Sequence, residues 1–430
     1  MHSYRSYLAI LLFIYIANTS AWAIAGLSDG LNFDAFFASS PTPFVIHVDE
    51  DFVDVTKQKV GLYRPARNLK KLAAFEDGAP QENITAIRDY WVEQYSWDHV
   101  QTDLNNRFKH FTTTVNAKAN YTHPIPLHFV HHKSNRSDAI PLLMLHGWPS
   151  SFTEWSSVIG PLTNPPNGST PAFHVVAPSL PGFGFSPAPE YPGCGAREQG
   201  QGFDELMHQL NYTKYAIATT DLGTFAGLWM LHDFPDTVTA HFTDFYFTEP
   251  NATDLARYAA KTTTPEENTF IESYNTLTTN DSGYSYIHQT RPLSIAIGMT
   301  DSPVGFVAWI WQLMHTISDG YPYTAEQLIT DSMMLSIQGP YGGMRAYKEF
   351  FREGGINASA YPLSTQPTGI SQWPSLTGNI VPFSDLPLEW IQRTANVTFY
   401  NNQHPGGHFP AISNPNAWLR DIRAFFATLA

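Results

Sequence analysis

The sequence predicts an α/β fold: a mainly parallel central sheet with a helical lid insertion and a helical N-terminal extension. Three observations predict it. Short, almost continuously apolar runs recur at Ile140–Leu145, Phe173–Ala177 and Tyr215–Ala218, as expected for parallel strands buried on both faces. Segments with helical spacing, Phe203–Leu210 and Phe225–His232, fall between and after them, so strand alternates with helix. From about 251 to 370 the strand pattern stops, and helical stretches such as Val307–Ile317 and Ala325–Ile337 take over before a strand returns at Val397–Tyr400.

Read in order, the chain divides at 1–23, 24–124, 125–250, 251–370 and 371–430. The first part reads as a signal peptide. His2 and Arg5 form a weak n-region, Tyr7–Ala17 is apolar but short for a membrane span, and Ala21-Trp22-Ala23 gives a small-x-small cleavage pattern. The expected mature start is near Ile24; left uncleaved, the segment would act as an anchor. Residues 24–124 are an extension, with apolar and aromatic residues at helical spacing in Ile87–Gln94 and Asp98–Phe108. Residues 125–250 begin the core with a strand at Leu127–Val130. Residues 251–370 are the insertion. Residues 371–430 complete the core and close on an amphipathic helix, Asn416–Leu429.

The chain is 43% hydrophobic and 14% aromatic, which supports a large core and argues against disorder. Its formal net charge is −14 with no basic run. That argues against nucleic acid and anionic membrane surfaces as partners, with a membrane expected only if the N-terminal segment stays uncleaved. Cys194 is the single cysteine, so no intramolecular disulfide can form. It lies in Pro192-Gly193-Cys194-Gly195, a turn, and reads as a free loop thiol. N-x-S/T sequons stand at Asn83, Asn120, Asn135, Asn167, Asn211, Asn251, Asn280, Asn357 and Asn396. Behind a signal peptide they point to a glycosylated protein, secreted or in the lumen of the secretory pathway.

Asp221 is the sharpest chemical signal. It lies in Ala218-Thr219-Thr220-Asp221-Leu222-Gly223, after a strand and before a helix. A nucleophile elbow turns so tightly that the positions two before and two after the nucleophile must be small; Thr219 and Gly223 occupy them. The pattern alone also fits a helix N-cap aspartate. His146-Gly147-Trp148-Pro149 follows the strand Ile140–Leu145. In an elbow enzyme the loop at this place gives one oxyanion-hole N–H, and the residue after the nucleophile gives the other. These are Trp148 and Leu222. His408, in Pro405-Gly406-Gly407-His408-Phe409, follows the last strand, where the order nucleophile, acid, base puts the base. His404 is nearby but lacks the flanking glycines. Asp385 is the expected acid, with Glu389 as the alternative.

With these residues in place the chain resembles the microsomal-type epoxide hydrolases of the α/β-hydrolase fold. The resemblance covers nearly all of the chain after the signal segment. It is carried by Tyr90-Trp91, Trp97 and Leu104-Asn105, by His146-Gly147-Trp148-Pro149-Ser150, and by Pro178 through Ser186. In the insertion it is carried by Thr290-Arg291-Pro292 and Asp301 through Gly305, and at the end by Gly406-Gly407-His408-Phe409. The resemblance implies two lid tyrosines that hold the epoxide oxygen, at Tyr284 and Tyr347, with Tyr286 a rival for the first. It also implies an Asp221 ester hydrolysed by His408-activated water, giving a vicinal diol. Small-molecule epoxide and water are the implied reactants, and no metal or cofactor is required. The sequence departs from the family in Thr219-Thr220 and Leu222 around the nucleophile, and in a short segment from Asp385 to Trp390.

Other readings stay open at this level. A haloalkane dehalogenase shares the Asp–His logic but needs halide donors. A catalytically silent binding protein would lack the nucleophile or the base. A biosynthetic enzyme could open one epoxide in one complex natural product, in place of a detoxifying role. The substrate and any homo-oligomer are not legible in the sequence.

Overall fold

A computed structural model describes residues 31–118, 121–374, 386–402 and 405–429. The expected signal segment, Asp385, His404 and the Asn120 sequon lie outside these residues.

Nine strands form one sheet in the order β1-β2-β3-β5-β4-β6-β7-β8-β9. They are β1 Thr42–Phe44, β2 His110–Asn116, β3 Pro124–His132, β4 Ile140–Leu145, β5 Phe173–Pro178, β6 Tyr215–Thr219, β7 Val238–Thr243, β8 Pro367–Ser371 and β9 Asn396–Asn401. The first three and β5 join antiparallel; the rest pair in parallel. The apolar runs read from sequence are the central strands. Leu142 to Leu145 and Ala216 to Ala218 are fully buried, because helices cover both faces of a parallel sheet. Cys194 is buried as well, and burial pushes its thiol up, so the turn does not present a reactive thiol.

Two boundaries differ from the sequence expectation. The extension 24–124 contributes β1 and β2 to the sheet. His110-Phe111-Thr112-Thr113-Thr114-Val115 buries residues on both faces, and its threonines erase the alternation that marks a half-exposed strand. The lid range 251–370 runs slightly too far, since Pro367–Ser371 is a sheet strand. Its proline and glycine are poor strand signals.

The lid is a run of helices from Ala252 to Phe351. Several start on side-chain caps legible in the sequence: Asn251 with Asp254, Thr264 with Glu267, and Thr324 with Gln327. The N-terminal extension is tied within itself and to the lid. Asn105 exchanges two hydrogen bonds with the Ile46 backbone, at 2.8 and 2.9 Å, and Gln101 accepts from the Val48 amide at 2.8 Å. Asn32 donates to the Ile337 carbonyl of the lid at 2.6 Å. No helix among the described residues is long and apolar enough to cross a membrane.

Of the sequons, Asn83, Asn135, Asn167, Asn211, Asn251, Asn280 and Asn396 are exposed; Asn357 is half-buried.

Candidate active site

The site forms at the C-terminal edge of the central strands, where β4 and β6 end side by side. After β6 the chain turns at Asp221, whose φ is 45°. A non-glycine residue held in this region carries backbone strain and marks a functional turn. The turn is fixed by Thr220 N–H to Leu145 O at 3.0 Å and Gly223 N–H to His146 O at 3.1 Å. A Cβ at Gly223 would lie 2.5 Å from the Leu145 oxygen, so glycine is required there. Thr219 is accommodated because its hydroxyl joins a buried polar chain. His241 Nε2 lies 2.7 Å from it, and it donates to Thr224 at 3.1 Å.

The His146-Gly147-Trp148-Pro149 loop packs directly on the nucleophile. The Trp148 N–H donates to Asp221 Oδ1 at 2.8 Å. A Cβ on Gly147 would fall 2.1 Å from the same oxygen. His146 holds the loop: its Nε2 accepts from Leu180 N–H at 3.1 Å, which leaves Nδ1 to donate to Gly147 O at 3.1 Å. Burial pushes this imidazole down to about 4, so it stays neutral at physiological pH. Trp148 and Pro149 are joined by a cis peptide. Leu222, the second expected donor, is buried in the first turn of the helix Asp221–Asp233, where backbone N–H groups lack intrahelical partners.

His408 sits on the opposite side of the carboxylate, its Nε2 3.3 Å from Asp221 Oδ2. Its loop is pinned to the lid: His408 N–H donates to Ile317 O at 2.7 Å. Gly407, at φ +67°, passes so close to Ile317 that a Cβ would lie 2.3 Å from the same carbonyl. Phe245 and Phe409 pack edgewise on the imidazole at 5.0 and 4.7 Å.

Tyr284 and Tyr347 come together from two lid helices, Gly283–Thr290 and Tyr341–Phe351. Their rings meet at 6.0 Å and 81°. Trp148 stacks on Tyr284 at 5.5 Å and meets Tyr347 edge-on at 5.8 Å. Burial, reinforced by the Asp221 charge, raises both phenols above the usual value, so both remain donors at neutral pH. The rival Tyr286 is 52% exposed. Glu389 is exposed on the short helix Leu388–Ile391 and bears on Arg257. A cavity of about 1110 Å³ between the extension and the lid reaches Tyr284 along Ile287, Val304, Ala308 and Trp309. Phe75 stacks on His315 in its wall at 3.6 Å.

Two site residues were not read from the sequence. His288 follows Tyr284 by one helical turn. It is fully buried, 4.7 Å from Trp148 and 5.1 Å from Tyr347, and accepts from Trp309 Nε1 at 3.2 Å. The i, i+4 spacing was the available signal. Asp244 directly follows β7. Burial raises it to about 6, against the pull of Thr220, Trp418 and His408. A charged residue closing a buried strand beside the elbow was its signal.

This site, at the strand ends under a helical lid, defines an α/β-hydrolase with aspartate at the elbow. A family model for the α/β-hydrolase fold matches residues 140–301, and one for the epoxide hydrolase N terminus matches 41–155. A juvenile hormone epoxide hydrolase of Bombyx mori is 30% identical over 89% of this chain and 86% of its own length. The solved structure of the Aspergillus niger epoxide hydrolase is 26% identical, with a TM-score of 0.77 over 92% of this chain and 99% of that one. The crystal structure of the silkworm juvenile hormone epoxide hydrolase is 27% identical, with a TM-score of 0.78 over 91% and 95%. The chain belongs to the microsomal-type epoxide hydrolase family.

Proposed function

We propose that the protein hydrolyses an epoxide to a vicinal diol through an ester on Asp221. The observation that carries this reading is the setting of one carboxylate. Oδ1 is held by the Trp148 amide at 2.8 Å and Oδ2 lies 3.3 Å from His408 Nε2, with two lid phenols above, Tyr347 buried and Tyr284 half-buried.

Oδ2 is the attacking atom, because Oδ1 is tied down by the amide. It forms a bond to an epoxide carbon while the ring C–O bond breaks. The freed oxygen takes a proton from Tyr284 or Tyr347. Oδ1 is then the carbonyl oxygen of the ester. His408, with Asp385 as its acid, takes a proton from water, and the hydroxide adds to Cγ of Asp221. The negative charge gathers on Oδ1, where the Trp148 and Leu222 amides receive it. Collapse breaks the bond between Cγ and Oδ2, which leaves on the substrate carbon as the second hydroxyl and takes the His408 proton. The surplus proton of the new carboxyl group returns to the phenolate. Water therefore enters the enzyme carboxylate before it reaches product.

The test is a panel of small and long epoxides in labelled water. Single turnover should place the label in Asp221, and His408→Gln should accumulate an alkyl-enzyme visible by intact mass. Diol formation without label in Asp221 would sink the ester route; halide release from haloalkanes without diol formation would favour a dehalogenase. The exposed sequons and the N-terminal segment further support a glycosylated protein of the secretory pathway. Endoglycosidase treatment and N-terminal sequencing of the mature protein check that.

A further inference from the structure

β6 and β7 run parallel with Thr219 level with Thr243. Asp244 therefore stands beside Thr220, the residue before the nucleophile. Asp244 is 5% exposed. Oδ2 accepts from Trp418 Nε1 at 2.6 Å, Oδ1 makes no short hydrogen bond, and the Thr220 hydroxyl bears on the carboxyl. Among the described residues no lysine or arginine forms an ion pair with it. Glu154, fully buried with no short hydrogen bond to either oxygen and the Ser150 hydroxyl bearing on it, is its acidic neighbour. Burial and the Asp244 charge both drive Glu154 up, so Glu154 stays protonated and Asp244 is the charged member. The group able to become a cation beside Asp244 is His408, and Phe245, the next residue, packs its ring on that imidazole.

A buried carboxylate without a cation is held at a cost. During hydrolysis His408 becomes that cation as it takes the proton of the attacking water. An interaction that gains strength at that moment lowers the barrier of that step. We propose that Asp244 is a positioning residue for the hydrolytic step, a carboxylate whose charge stabilises the His408 imidazolium as water attacks the Asp221 ester. This rests on the reading of Asp221 as the nucleophile.

The experiment is single-turnover kinetics of wild type, Asp244→Asn and Trp418→Phe across pH, with the alkyl-enzyme followed by mass. Asp244→Asn should alkylate within about threefold of wild type and hydrolyse the ester at least about tenfold more slowly. With the negative charge gone, the acid limb of hydrolysis should move to lower pH, by on the order of half a unit. Trp418→Phe, which leaves the carboxylate but removes its donor, should give a smaller change in the same direction. A purely structural residue would not move that limb. Hydrolysis within twofold of wild type with an unmoved limb in Asp244→Asn overturns the inference. If that variant fails to fold, an unmoved limb in Trp418→Phe does so. Absence of any alkyl-enzyme in wild type and His408→Gln would instead defeat the reading of Asp221.

Discussion

Gly147 and Asp221 are in mutual contact: any Cβ at 147 would overlap the carboxylate oxygen that the next amide, Trp148 N–H, holds at 2.8 Å. The oxyanion loop and the nucleophile are thus fitted to one another with no slack. Gly147→Ala should displace the carboxylate from the Trp148 amide. The expected result is a loss of about 100- to 1,000-fold in turnover, the range for losing one oxyanion donor. Melting temperature should fall as well, because a Cβ at 147 would also lie 2.4 Å from Asp221 Cβ, which no side-chain rotation can move. Activity within threefold of wild type would contradict the contact.

Tyr284→Phe and Tyr347→Phe each remove a hydroxyl and keep the ring that packs on Trp148. Each should slow alkylation by about ten- to a hundredfold and leave hydrolysis of a preformed ester nearly unchanged. The double variant should be far slower, because the leaving oxygen then has no proton source. Both phenols lie above their ordinary pKa of 10 through burial. In wild type, alkylation should therefore show no alkaline limb up to about pH 10. Stopped-flow quenching of tryptophan fluorescence on mixing with epoxide measures all three.

The central strands and the order of the site were legible because each rests on local chemistry. Ile140–Leu145 must be buried on both faces to be apolar throughout, and Gly223 must be small for the elbow to turn. His408 was legible from its place after the last strand and its two glycines. The observed approach of Gly407 to Ile317 gives the physical reason for one of them. What stayed hidden depends on distant parts of the chain. β2 reads poorly because helix Ala196–Gln209 buries the face that a lone strand would leave to water; Gln209 accepts from Thr113 at 2.6 Å. Tyr284 could be chosen over Tyr286 only by resemblance, since they lie two residues apart on one helix. The lid decides which of them turns inward. Asp244 and His288 acquire meaning only once β7 and the lid are placed.

His146 links the loop to pH. Its folded value of about 4 lies below the ordinary 6.5. Between these values the unfolded chain binds a proton that the native state does not. Its contribution is therefore fully present above pH 6.5 and is lost as pH falls through the window to 4. The full shift is worth about 3 kcal/mol. Asp244 and Asp331, raised to about 6 and about 7 by burial, act in the opposite sense, so the whole-protein curve mixes both. A comparison with His146→Gln isolates the histidine. The stability gap in urea should be largest at pH 7 and shrink steadily toward pH 4. A gap independent of pH would rule out a neutral buried imidazole.

The cavity that reaches Tyr284 is far larger than a small epoxide needs, at about 1110 Å³. Pockets of several hundred Å³ already suffice for drug-sized ligands. Its inner walls, Ile287, Val304, Ala308 and Trp309, are apolar, so the chain attached to the epoxide should gain from burial there, by about 0.8 kcal/mol per methylene group. Ala308 is a half-exposed residue of the helix Pro303–Ile317, where a larger side chain fits without disturbing the core. Ala308→Trp should fill part of the corridor. The specificity constant for a long terminal epoxide should fall about ten- to a hundredfold, while that for epoxybutane should stay within about twofold. The split matters more than either number. An equal loss for both substrates would mean that the variant disturbs Tyr284 itself, and no loss for either would mean that the tail runs elsewhere.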